Sequence, residues 1–117
     1  MTYISGFLSP VPTANKDAYH DHAAKAAPYF KSLGALEVVE AWGADVPDGE
    51  HTSFPMATKL KEDETVVLGW MIWPDKATAD AAFEKMMSDE EFHNSMGEMP
   101  FDGKRMMWGG FEQLLKE

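Results

Sequence analysis

Glu40 is the carboxylate whose setting suggests chemistry. Strand alternation places it beside Val38 and Trp42 on a mostly apolar face. A carboxyl group held among apolar side chains has a raised pKa and can act as a general acid or base. The plainer reading is an edge-strand glutamate that reaches water or pairs with a lysine. Arg105 is the only arginine in the chain and follows Asp102, Gly103 and Lys104. Its planar five-donor fork suits capture of a carboxylate or another anion, and equally suits a salt bridge to one of the 20 acidic residues. His22 lies on the apolar stripe of a helical segment, where it is either a general base in a pocket or a packed histidine with one hydrogen bond. His20 and His22 do not form a metal pair, because two residues along a helix turn a side chain by about 200°. Asp17, His20 and Asp21 share a face that could hold a divalent ion weakly, and a solvated helix surface is the expectation there. His51 and His93 have no recognisable companions.

Trp42, Trp70 and Trp108 supply candidate walls for a pocket, with Trp73, Tyr3, Phe7 and Phe111 adding to an aromatic content that is high for so short a chain. Such residues line sites for flat apolar ligands, and they also build dimer cores. With Glu40 or His22 moving a proton and Arg105 holding an anionic group, the chemistry would be cofactor-independent acid–base catalysis on a small apolar or aromatic molecule. No cofactor and no metal is called for. The chain lacks a GxSxG elbow, a glycine-rich phosphate loop, an HExxH pair and an EF-hand pattern.

The elements that must position these residues follow from periodicity. Residues 3–8 are rich in β-formers and stop at Pro10 and Pro12. From 15 to 33 the period becomes helical, with Tyr19, His22, Ala23, Ala26, Phe30 and Leu33 on one face, a kink or break expected at Pro28, and Gly34 ending the helix. Residues 35–44 read as a second strand, 45–53 as a loop, and 55–60 as an extended segment. Residues 65–73 form a further strand with Val66, Leu68, Trp70 and Ile72 on one side and Val67, Met71 and Trp73 on the other. Asp75 caps a second helix carrying Ala79, Ala82, Phe83, Met86 and Met87, Ser88 and Glu91 have capping-box spacing, and 104–111 read as a last strand. The order predicts a two-layer α+β sandwich with an antiparallel sheet and helices on one face. A strand apolar on both sides must be covered on both, and in a short chain the simplest cover is a second copy about a two-fold axis. A homodimer is therefore expected; residues 45–53 are long enough to bring the chain back so that 55–60 restarts in the direction of the second strand, an excursion expected to reach the partner.

Composition narrows the partners. At 117 residues the chain suits one domain, residues 1–117. A formal charge of −10 argues against nucleic acid and against an anionic membrane surface, since both are bound through Lys and Arg. Zero cysteines exclude disulfides, thiolate metal sites and cysteine nucleophiles. No apolar run is long enough to span a bilayer, the N-terminus lacks a signal-peptide pattern, and a cytoplasmic protein is expected.

The stretches AAKAAPYFKSLGALEVVEAWGADVPDG, SFPMATKLKEDETVVLGWMIWPDKA, EKMMSDEEF and EMPFDGKRMMWGGFE closely resemble the bacterial family known as domain of unknown function 1428. The resemblance spans nearly the whole chain and is most specific in residues 98–111. It implies a ferredoxin-like fold forming a dimeric α/β barrel. It brings no established reaction and no catalytic residues. Superfamily relatives include cofactor-free oxygenases, haem-degrading enzymes and chlorite dismutases, so two alternatives stand beside the small-molecule reading: a non-enzymatic interaction dimer without ligand, and a haem- or metal-binding protein.

Overall fold

The computed structural model describes residues 2–117. Four strands, β1 (Tyr3–Pro12), β2 (Glu37–Trp42), β3 (Glu64–Trp73) and β4 (Met107–Glu112), form one sheet in the order β2-β3-β1-β4. Every neighbouring pair is antiparallel. The helices are α1 (Lys16–Ser32), α2 (Phe54–Thr58), α3 (Lys76–Ser88) and α4 (Glu90–Met96), with short 3-10 turns at Thr13–Asn15 and Gly103–Arg105.

Alternation assigns the two faces as the sequence predicts. Tyr3, Val38, Val67, Met71 and Trp73 meet residues of α1 and α3. One cluster joins Ala35, Trp73, Ala79 and Ala82, and a second joins Val11, Tyr19 and Val67 with Ala23, Trp42 and Phe101 around them. Complete burial of a side chain such as Val67 stabilises the fold by about 1.5–3 kcal/mol. The one polar atom of the Trp73 ring is matched, its Nε1–H donating to Ser5 Oγ at 3.0 Å. α4 is fastened to α1 by Tyr29, whose ring stacks on Phe92 at 3.8 Å and whose hydroxyl donates to Asp89 at 2.9 Å.

Several expectations are corrected. β1 continues past Leu8 to Pro12, because β4 pairs with it only as far as Leu8 and leaves the rest of β1 with a single neighbour. Val66, opposite Pro10, turns its carbonyl to β2, where Gly43 N–H donates to it at 2.8 Å. The missing N–H of Pro10 would therefore have pointed away from β3, to the side where β4 has ended, and its absence breaks no ladder bond. α1 passes through Pro28 as one helix, not two. The segment after Ser53 is helical and not extended: Ser53 Oγ accepts the Met56 N–H at 3.1 Å, Pro55 sits in the first turn, and Lys59 ends the helix in the left-handed region at φ 52°. α4 is capped by Asp89, which accepts the Phe92 N–H at 3.0 Å, whereas Ser88 bonds back into α3. Lys104 and Arg105 belong to the 3-10 turn that precedes β4. Gly34 does close α1, at φ 114°, and a Cβ there would lie 2.7 Å from Thr78 Cγ2, so the turn also seats the start of α3.

The face away from α1 and α3 carries Ile4, Leu8, Val39, Leu68, Trp70, Ile72, Met107 and Phe111 by the same alternation. At one end Val66 and Pro10 are buried, and α2 packs on β1 and β3. Elsewhere the face is open, with Leu68 40% and Phe111 59% exposed.

Candidate functional site

The helix-side face of β2 presents Val38, Glu40 and Trp42 towards α1, as expected. Between them and the helix lies a cleft of about 290 Å³, whose lining includes Lys16, Tyr19, His20 and Ala23 of α1 and Val67 of β3. Small side chains make this space. Ala23, Ala24 and Ala27 leave room along the helix, and Gly69, the residue opposite Glu40, has no side chain because the Phe7 ring occupies the position that a Cβ would take.

Tyr19 and Glu40 are the polar pair of the cleft. The Tyr19 hydroxyl donates to Glu40 Oε1 at 2.6 Å, within the range of a charge-assisted bond. Tyr19 itself is buried, whereas Glu40 is exposed as a residue, with its Oε1 held by Tyr19. Burial raises the Glu40 pKa above the ordinary carboxylate value, and the hydrogen bond from Tyr19 opposes part of that rise. Burial raises Tyr19 much further, with the neighbouring Glu40 adding to it, so the phenol keeps its proton throughout the physiological range. The arrangement is a carboxylate positioned to accept a proton, steadied by a phenol that donates. Lys16 Nζ stands 5.7 Å from the centroid of the Trp42 ring.

The other candidates are dispersed. His22 lines neither this cleft nor the crevice near Arg105; its ring lies edge-on to Phe101 at 6.4 Å, and its buried Nε2 has no hydrogen-bond partner. Burial, aided by Lys25, lowers its pKa. Trp70 is on the opposite face of the sheet, and Trp108 is on the far edge strand against Phe83 at 5.2 Å. Only Trp42 among the tryptophans shares the cleft with Glu40.

Arg105 borders a separate crevice of about 560 Å³ with Asn15, Lys61, Glu64 and Phe101. Its guanidinium donates to both Glu64 oxygens at 2.7 and 2.6 Å, to Asp102 at 3.1 Å and to the Lys59 carbonyl at 3.1 Å. Four of its five N–H groups are thereby engaged within the chain. The Glu64 side chain is only 5% exposed, and its hydrogen bonds to Arg105 hold its pKa below the ordinary range. This is the geometry of a structural clamp joining α2, β3 and the turn before β4.

Tyr19 and Lys16 were not among the sequence candidates for this site. A signal for Tyr19 existed: a hydroxyl on the apolar stripe of α1 needs a partner, and Glu40 is the polar residue on the apolar face of β2. Nothing in the periodicity distinguishes Lys16 from other polar helix residues. Among the described residues no group of three or more His, Cys, Asp or Glu is placed to hold a metal ion, and no helix is long and apolar enough to cross a membrane.

The chain is 53% identical to the uncharacterized protein YbaA of Escherichia coli strain K12 over 117 residues, all of both chains, and equally so to YbaA of Shigella flexneri. A crystal structure described as a dimeric ferredoxin-like protein from an uncultured marine organism superposes with a TM-score of 0.58 at 12% identity, covering all of both chains. That likeness shows a ferredoxin-like fold, in agreement with the α+β sheet order above. The profile described as protein of unknown function (DUF1428) matches residues 2–103, and the chain belongs to that family.

Proposed function

We propose that the protein binds a small, mostly apolar molecule in the cleft between α1 and β2, and that Glu40 accepts and returns a proton on it. The observation that carries this reading is the 2.6 Å bond from the buried Tyr19 hydroxyl to Glu40 in a cleft walled mostly by alanine, valine and tryptophan, with Lys16 and His20 also in its lining. The proton would leave an acidic C–H or O–H of the ligand for the free carboxylate oxygen, while Tyr19 holds the other oxygen in place. The working unit is a homodimer formed through the open apolar face of the sheet. In support, that face leaves Leu68 and Phe111 in water, and the similar marine protein is described as dimeric. The cytoplasm is the compartment that suits an acidic chain without cysteine.

The test uses the NMR signals of the four tryptophan indoles while indole, 1-naphthol and coumarin are titrated in turn. The expected result is movement at Trp42 with Trp70 and Trp108 still. In deuterated solvent, Glu40→Gln should slow protein-catalysed exchange of an acidic ligand proton by about 100-fold or more. Stillness at Trp42 with every compound would leave the Tyr19–Glu40 bond as a structural tie within a dimer that has no ligand.

A further inference from the structure

Lys16 is the cation that lines the cleft. Among the described residues it forms no ion pair, although the chain has 20 acidic side chains. Its ammonium instead lies over the Trp42 ring at 5.7 Å. The remaining polar groups of the lining are occupied with one another or with neighbours: Tyr19 donates to Glu40, and His20 meets Asp21 at 3.2 Å on the exposed side of α1. One end of the cleft is thus an aromatic platform beside an uncompensated positive charge, and the proton-accepting carboxylate is the other polar feature.

We propose that the cleft is specific for small flat acids, the ring of the ligand lying along Trp42 and its carboxylate meeting Lys16. This rests on the reading of the cleft as a ligand site and adds the ligand class. A lone ammonium on an aromatic face keeps its hydration on the outer side, so an arriving carboxylate gains a charge-assisted hydrogen bond without breaking an existing ion pair. A planar acid therefore has a cation for its carboxylate and an aromatic ring beside it for its own ring.

Three compounds of one shape test it: 2-naphthoate, the neutral 2-naphthamide and the cationic 2-naphthylmethylamine, titrated at pH 7 with the Trp42 indole signal as readout. The acid should bind about threefold to fivefold more tightly than the amide at low salt, the size expected for an accessible ion pair. The preference should shrink as sodium chloride rises. In Lys16→Gln the acid should fall to the affinity of the amide in the same variant. Equal binding of acid and amide at Trp42, tighter binding of the amine, or a preference that survives Lys16→Gln would overturn the ligand class and leave the cleft as a site. No movement at Trp42 with any of the three would overturn the site and the ligand class together.

Discussion

A raised pKa in the folded state means that Glu40 binds its proton more readily folded than unfolded. The contribution of such a group to stability is greatest below the unfolded carboxylate value and is lost as pH rises through the folded one. Glu40→Gln, which keeps an acceptor for Tyr19, should therefore raise the melting temperature at pH 7 by about 2 °C and lose that advantage near pH 4. Paired thermal scans at the two pH values check this; a variant less stable than wild type at pH 7 would contradict it. Gly69 offers a second residue-level prediction. A methyl group at that position enters the Phe7 ring, so Gly69→Ala should cost about 1–3 kcal/mol by urea denaturation. Phe7→Leu in the same chain should restore part of the loss, because the two positions are in contact and do not add. Single residues were legible in unequal measure. The face of Glu40 followed from alternation along β2, but its partner required knowing that Tyr19 of α1 lies over that strand, which is a matter of packing and not of period.

At the level of elements, α2 and its clamp explain why the middle of the chain was read differently from its ends. Strands and long helices repeat a pattern over several turns, whereas α2 has a single turn specified by Ser53, Pro55 and the left-handed Lys59. The Arg105 clamp then seats it, since the same guanidinium bonds the Lys59 carbonyl and the Glu64 carboxylate. Arg105→Met should leave Glu64 sheltered without its partner and lower the melting temperature by about 5–10 °C, and Arg105→Lys should recover only part of it because a single ammonium cannot reproduce the two-point bond. The clamp also has a pH signature. Glu64 and Asp102 are both held below their ordinary values by Arg105, so the stability they contribute is present above the unfolded carboxylate pKa and fades as acid takes the pH through the folded ones. Wild type should lose more stability than Arg105→Met between pH 5 and pH 3, as followed by far-UV circular dichroism; equal losses would show that the clamp is not electrostatically coupled to the fold.

For the molecule as a whole, the open face of the sheet sets the expected assembly. A face bearing Leu68, Trp70, Ile72 and Phe111 is larger than the scattered apolar residues of an ordinary surface, and a second copy would cover it symmetrically. Sedimentation equilibrium should give twice the chain mass of 13.1 kDa, and Trp70→Glu, which puts a charge at the centre of that face, should give a single chain mass with the helical signal retained. A wild-type protein that sediments as one chain would remove this assembly. The double-sided apolarity of β3 makes this face legible in the sequence alone. The way α2 screens one end of it was not, because that depends on where a long connection returns.

The two prolines of β1 bear on how that strand can be buried beyond its last partner. Past Leu8 it has no strand on its β4 side, yet Ser9, Pro10 and Val11 are buried, with α2 and the Gly103–Arg105 turn packed on the strand. Pro10 and Pro12 fall at alternate positions on the side facing away from β3, and neither has an N–H to offer there. A main-chain donor closed off from water without a partner would be costly, and at these two places there is none to satisfy. The same residues that let β1 run its full length therefore let the fold close over it where β4 has ended.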